Sequence, residues 1–141
     1  MILSDDQGHA FMDHALRVAR RASRVNEVPV GAVIVRNGRV VCAMHNLVRR
    51  CQTPLAHAEI LVILMAQKRL NTPYLDDCLL YVTLQPCPMC AHAIALARLK
   101  RVYFGAYALK KCGIVPETVG GVCEHQCSQL LDHFFCEKRW I

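Results

Sequence analysis

Apolar residues recur along this chain with two different periods, and the switching between them sketches a fold. Over residues 9–25, Phe11, Ala15, Val18 and Ala22 fall at helical spacing while Asp13, Arg17, Arg21 and Arg24 take the other side, which predicts an amphipathic helix with solvated arginines. Two β-type runs follow at 30–35 and 39–44, joined by Asn37-Gly38, a pair that tolerates the positive φ of a tight turn, so they are expected to form an antiparallel hairpin. Residues 56–70 are apolar all round from Ile60 to Met65; the length and the closing Lys68-Arg69 predict a buried helix stopped by Asn71-Thr72-Pro73. A strand at 79–84, a helix at 88–99, a strand at 101–104 and a last helix carrying Cys127, Leu130, Leu131 and Phe134 complete the pattern. Strands alternating with helices imply a mostly parallel sheet covered on both faces. Between them, Tyr107 to Lys111 reads as a helical turn and Val119 to Cys123 as a short edge strand weakened by Gly120-Gly121.

Composition narrows this to one globular unit. The 141 residues are 54% hydrophobic and 20% charged, enough to bury a core, and no repeat or linker divides them, so 1–141 is read as a single domain. No apolar run approaches a membrane span, and the first residues lack the pattern of a secretory signal, so a cytoplasmic protein is expected. A net charge of +6 makes a polyanion such as nucleic acid a reasonable partner. The nine cysteines are odd in number and accompany no secretory signal, which favours thiols or metal ligands over disulfides.

The candidate chemistry lies in His57-Ala58-Glu59 and, downstream, Pro86-Cys87-Pro88-Met89-Cys90. Two cysteines three apart at a helix start lie on one side of a turn, Pro88 suits a first helical position, and the helix N-terminus favours thiolate. The cysteine pair alone also fits a redox motif or half of a structural zinc site. His57 adds a third ligand and leaves one tetrahedral position for water, the arrangement of catalytic zinc. A closed site would need a fourth ligand; Cys112, Cys123, Cys127, His125 and His133 are available, and Cys123-x3-Cys127 offers the start of a separate cluster. Two thiolates and an imidazole leave zinc almost without net charge, so a neighbouring base such as Glu59 is useful. Residues two apart in a helix point nearly opposite ways, so His57 is expected at the very start of its helix, where both side chains reach one cavity. The plainer alternative is that His57 and Glu59 merely cap a buried helix.

H-x-E with P-C-x-x-C is the motif pair of the zinc nucleobase deaminases. The chain resembles the tRNA-specific adenosine deaminase family of the cytidine deaminase-like superfamily in Val28-Pro29-Val30-Gly31-Ala32-Val33, Asn46, Ala56-His57-Ala58-Glu59-Ile60, Leu80-Tyr81-Val82-Thr83-Leu84, Pro86-Cys87-Pro88-Met89-Cys90 and Val102-Tyr103-Phe104-Gly105-Ala106. Residues 130–135 resemble its C-terminal helix. The resemblance implies a three-layer α/β/α fold with a mixed, roughly five-stranded sheet, and one catalytic Zn²⁺ per subunit held by His57, Cys87 and Cys90. Glu59 would move protons while hydroxide attacks C6 of adenine, producing inosine and ammonia. It further assigns base reading to Asn46, a base-facing backbone N–H to Ala58 and a pocket wall to Val30. It also implies a homodimer with a tRNA anticodon loop across the subunit boundary, Arg49, Arg50, Lys110, Lys111, Lys138 and Arg139 being candidates for its phosphates. Two departures stand out: the segment after Ala106 is shortened to residues 107–116 with no carboxylate before Glu117, and Gln85 replaces the family's glutamate before Pro-Cys. The alternatives are a deaminase of a free base or nucleoside (guanine, cytosine, cytidine), an inactive zinc-stabilised RNA-binding or dimerisation partner, and a thioredoxin-like redox protein using Cys87 and Cys90.

Overall fold

In chain order the elements are α1 (Asp5–Arg24), β1 (Gly31–Arg36), β2 (Arg39–His45), α2 (Val48–Cys51), α3 (Ala58–Leu70), β3 (Cys78–Leu84), α4 (Pro88–Leu96), β4 (Arg101–Ala106), β5 (Thr118–Val119) and α5 (Glu124–Lys138). They come from a computed structural model that describes residues 5–108 and 117–138. Lys110, Lys111, Cys112 and Arg139, the side chain of Lys138, and the expected turn beyond Ala108 lie outside the described residues.

The five strands form one sheet in the order β2-β1-β3-β4-β5. Asn37 and Gly38 take φ of 51° and 72°, closing the expected hairpin, and β1 and β2 pair antiparallel. β1 also pairs antiparallel with β3, while β3–β4 and β4–β5 are parallel. The sheet is therefore mixed rather than mostly parallel. Alternating strand and helix periods report the βαβ crossovers that make β3 and β4 parallel, but not the direction in which a local hairpin docks on β3.

α1 packs on β1, β2 and β3 and touches α5; α3 packs on β1 and β2 and touches α4. Met12, Ala15, Leu16, Ala19 and Ala22 line the buried side of α1. A Cβ added at Gly31 would overlap the Ala15 carbonyl oxygen, so this glycine is what lets α1 lie directly on the sheet. On the other face Cys42 of β2 meets α3 through an Sγ contact of 3.4 Å to the Val62 carbonyl. The result is the α/β/α sandwich, with helices on both sides of the sheet.

Local boundaries moved where backbone geometry overrode apolar pattern. α4 ends at Leu96 because Arg98 adopts φ 60°, a left-handed residue that reverses the chain toward β4. β4 runs on to Ala106, whose register partner is Leu84. β5 keeps only two residues, since a Cβ at Gly120 would strike the Phe104 ring and Gly121 turns away at φ 82°. α2, a four-residue helix, has no periodicity to announce it.

Candidate metal centre and active-site cavity

Two helix starts converge beside the C-terminal end of β3. His57 is the residue preceding α3, with extended φ −72° and ψ 150°, as its partnership with Glu59 required. Cys87 holds the same position before α4, at φ −69° and ψ 168°, with Pro88 in the first helical turn. Neither side chain caps its own helix, so both are left to point outward from the N-termini. Cys90 lies one turn into α4 and is completely buried.

The His57 Nδ1 is 3.5 Å from Cys87 Sγ and 3.4 Å from Cys90 Sγ. A tetrahedral zinc ion with ordinary bond lengths separates its nitrogen and sulfur ligands by about 3.6 Å, so these are the edges of such a site. The three donor atoms lie within 4.8 Å of one another, and this is the only three-residue donor group that the described residues assemble. Cys123, Cys127, His125 and His133 do not form a second one; His133 instead lies 3.1 Å from Glu137.

The charge state of the group fits a divalent cation. Burial pushes the His57 imidazole below its usual range, the neutral form a metal takes. Burial also drives the Cys90 thiol far up, with Glu59 and Cys87 adding to the effect. Glu59 is raised by burial, opposed by its own backbone N–H and by a hydrogen bond with Cys90. Buried sulfur and carboxylate stand together here with no protein cation paired to them among the described residues, a combination that a bound dication makes favourable.

His57, Glu59 and Cys87 open onto a cavity of about 680 Å³, within the range that holds a nucleobase or nucleoside. Its walls are largely apolar, from Val28, Val30, Val48, Leu84, Phe134 and Phe135, and its polar points include Asn26, Glu27, Asn46 and Gln85. Asn46 and Val30 thus line the cavity, while Ala58 does not. The Ala58 N–H is already engaged: it donates to Asn46 Oδ1 at 2.8 Å. As the first residue of α3, Ala58 has an N–H with no intrahelical partner, and the asparagine at the end of β2 supplies one. The Ala58 N–H, expected to face the base, here holds Asn46, whose amide NH₂ remains for another partner.

Sequence reasoning gave no role in the cavity to four residues that build it. Glu27, 2% exposed, accepts N–H bonds from Arg49 (2.8 and 3.3 Å) and Arg50 (3.1 Å) and so ties α2 to the cavity wall. A lone acid between Val25 and Val28 was its available signal. Gln85 accepts the Ala108 N–H at 3.1 Å, which anchors the chain leaving β4 at the cavity mouth. Phe134 and Phe135 were legible as part of a helix but not as a wall.

The family model for the cytidine and deoxycytidylate deaminase zinc-binding region matches residues 5–106. The chain belongs to that family. It is 41% identical over 147 residues to the tRNA-specific adenosine deaminase of Bacillus subtilis (strain 168), covering 94% of this chain and 91% of that protein. It is 50% identical over 105 residues to the tRNA-specific adenosine deaminase of Aquifex aeolicus (strain VF5), covering 74% and 70% respectively. Among solved structures it is similar to one from work on A-to-I editing by tRNA:A34 deaminases at the wobble position of transfer RNA. That match has a TM-score of 0.82 and 40% identity over 86% of this chain and 99% of that one. The deaminase family is thus zinc-binding, and His57, Cys87 and Cys90 are positioned to hold the ion.

Proposed function

We propose that the protein is a zinc-dependent hydrolase that converts adenosine to inosine in tRNA, at the wobble nucleotide of the anticodon. The observation that carries this is the three-ligand group beside a buried Glu59 in an apolar cavity of nucleoside size, in a chain 41% identical to a tRNA-specific adenosine deaminase over nearly its whole length.

His57, Cys87 and Cys90 would hold zinc, which when bound would supply a Lewis acid that makes water nucleophilic near neutral pH. Glu59 takes the proton that water gives up and passes it to the ring nitrogen next to C6; once the C6–O bond has formed, it takes the proton of the new C6 hydroxyl and passes it to the departing amine as the C6–N bond breaks, so that adenosine and water become inosine and ammonia. Burial, which raises its affinity for a proton, suits it to this carrier role. Asn46, held through Oδ1, presents its amide NH₂ to the base, and Val30, Leu84 and the two phenylalanines of α5 exclude water around the ring.

The packing of α1, α3 and α5 on one sheet, with α4 against α3, supports reading 1–141 as a single deaminase domain. A second copy is proposed to cover the α3–α4 face, where Leu64 and Leu96 are 59% and 78% exposed. No described helix is long and apolar enough to cross a membrane, in keeping with a cytoplasmic setting for a tRNA-modifying enzyme. Arg49 and Arg50, exposed at the mouth, are the described candidates for the phosphates of the anticodon loop.

Zinc-loaded protein incubated with a tRNA bearing adenosine at the wobble position should yield inosine there, read as guanosine on sequencing, and Glu59→Ala should abolish it. Ammonia from free guanine, cytosine or cytidine, with none from tRNA, would replace the substrate; zinc-loaded protein that binds tRNA yet releases no ammonia from any substrate would point to an inactive partner.

A further inference from the structure

α1 carries Arg17, Arg20, Arg21 and Arg24 at i, i+3, i+4 and i+7, the spacing of one continuous helical stripe, and all four are exposed. None forms an ion pair among the described residues, so the four guanidiniums repel one another without a carboxylate between them. Their field is felt nearby: His14 is held below its usual range by partial burial and then by Arg17 and Arg21. The stripe is also placed. The chain leaving α1 passes through Asn26, Glu27 and Val28 into the cavity wall, and Glu27 holds the backbone of Arg49 and Arg50. Arginines therefore begin at the cavity mouth and continue back along α1 for about 10 Å, from Arg24 to Arg17. Arg20 additionally lines a shallow groove with Gln126, Gln129 and His133 of α5, which adds hydrogen-bonding side chains beside the stripe.

We infer that this stripe is a phosphate track that seats the RNA strand after it leaves the active-site cavity. The inference rests on the tRNA reading above. Guanidinium forks match phosphate oxygens, and a row of them follows a backbone without reading its sequence. An acidic membrane surface is the poorer occupant, because the apolar side of α1 is wholly committed to the core, Met12, Ala15 and Ala19 being 0% exposed, and nothing remains to insert.

The test uses full-length, zinc-loaded protein carrying Arg17→Gln, Arg20→Gln, Arg21→Gln and Arg24→Gln, glutamine being a good helix former. Affinity for a full-length tRNA transcript is measured over a series of salt concentrations, alongside deamination kinetics. Every arginine–phosphate pair removed should flatten the log–log salt dependence by about 0.7, so by up to about 3 for four. KM should rise roughly tenfold or more at low salt with kcat unchanged. The matching Arg→Lys set should keep the wild-type slope. If the quadruple variant folds poorly, the pairs Arg17→Gln/Arg21→Gln and Arg20→Gln/Arg24→Gln should each show about half the change. A glutamine protein with wild-type affinity and slope, while wild type deaminates tRNA, overturns the track and leaves the function standing. Wild-type protein that neither binds nor deaminates tRNA overturns both. Loss of binding to phosphatidylserine vesicles with RNA affinity intact also overturns the track, in favour of a membrane.

Discussion

Glu27→Ala removes the one side chain that caps α2. Leu47, the residue before that helix, makes no capping bond of its own, and the Glu27 carboxylate takes its place from 22 residues away in sequence, accepting the N–H groups of Arg49 and Arg50. Bonds to a charged acceptor are worth about 1.5–3 kcal/mol each, but α2 is exposed and water can replace part of them, so the loss should be about 2–3 kcal/mol. For a chain of this size that corresponds to a fall in Tm of roughly 6–15 °C. Glu27→Gln keeps one acceptor oxygen and the shape and should lose only about 1 kcal/mol. α2 contributes Val48 and Arg49 to the cavity, whereas Glu59 and the metal ligands stand on α3 and α4. KM should therefore rise more than kcat falls, and glutamine should rescue most of it. The assay is thermal unfolding at a fixed, saturating zinc concentration together with steady-state kinetics on tRNA. An alanine variant that keeps both its Tm and its KM would show that the Leu47 N–H bond to the Ala56 carbonyl holds this segment by itself.

Glu59→Gln should lower kcat by about 10²–10⁴-fold while zinc stoichiometry stays at the wild-type value; an active variant would take this carboxylate off the proton path. In zinc-loaded protein at pH 8, iodoacetamide should reach exposed Cys51 and Cys136 first, and Cys87 and Cys90 only after chelation; prompt labelling of the pair with zinc bound would disprove their role as ligands. Burial pushes Cys42 up to about 11 and, with the neighbouring Asp77, Cys78 up to about 12, so both should resist until the protein unfolds. Because their folded pKa values lie above the unfolded value of 9.0, they favour the fold fully below pH 9, and urea midpoints should drop as pH climbs through 11–12. Gly31→Ala, whose methyl would overlap the Ala15 carbonyl oxygen, should cost about 3 kcal/mol or more, while Gly8→Ala, with open space around it on α1, should be neutral or stabilising by up to about 1 kcal/mol. Equal melting temperatures for the two glycine variants would refute the close helix–sheet approach.

What the sequence could say was set by how local each determinant is. Asn37-Gly38 carries its own turn geometry, and His57-Ala58-Glu59 dictates a helix start because only there can residues two apart serve one cavity. The β1–β3 pairing, by contrast, joins Ala32 to Val82, and no local pattern records its direction. The partners of Glu27 were unreadable for the same reason: they are backbone N–H groups that nearly any residue at 49 and 50 would provide, although the lone acid itself stood out. Ala58 shows the converse, a position legible from its motif whose partner in the fold had to be seen: its N–H donates to Asn46.

The site owes its chemistry to opposing effects at two neighbouring helix starts. An N-terminus favours negative charge, which helps the carboxylate of Glu59 in the first turn of α3. Burial works the other way on Glu59, and it is the larger effect, so the group is drawn toward protonation instead of being fixed as an anion. A carboxylate left in water would hold a proton too weakly to hand it to a ring nitrogen at neutral pH; one buried without the helix start and the Cys90 hydrogen bond would keep it. A carboxylate at position 60 instead, where Ile60 stands half-buried, would face the groove it shares with Ala93 and Leu96 and not the cavity of the metal ligands. The two-residue spacing thus does more than mark a motif: it puts the imidazole of His57 outside the helix and the carboxylate of Glu59, the proposed proton carrier, inside it, on opposite sides of the boundary between extended and helical backbone.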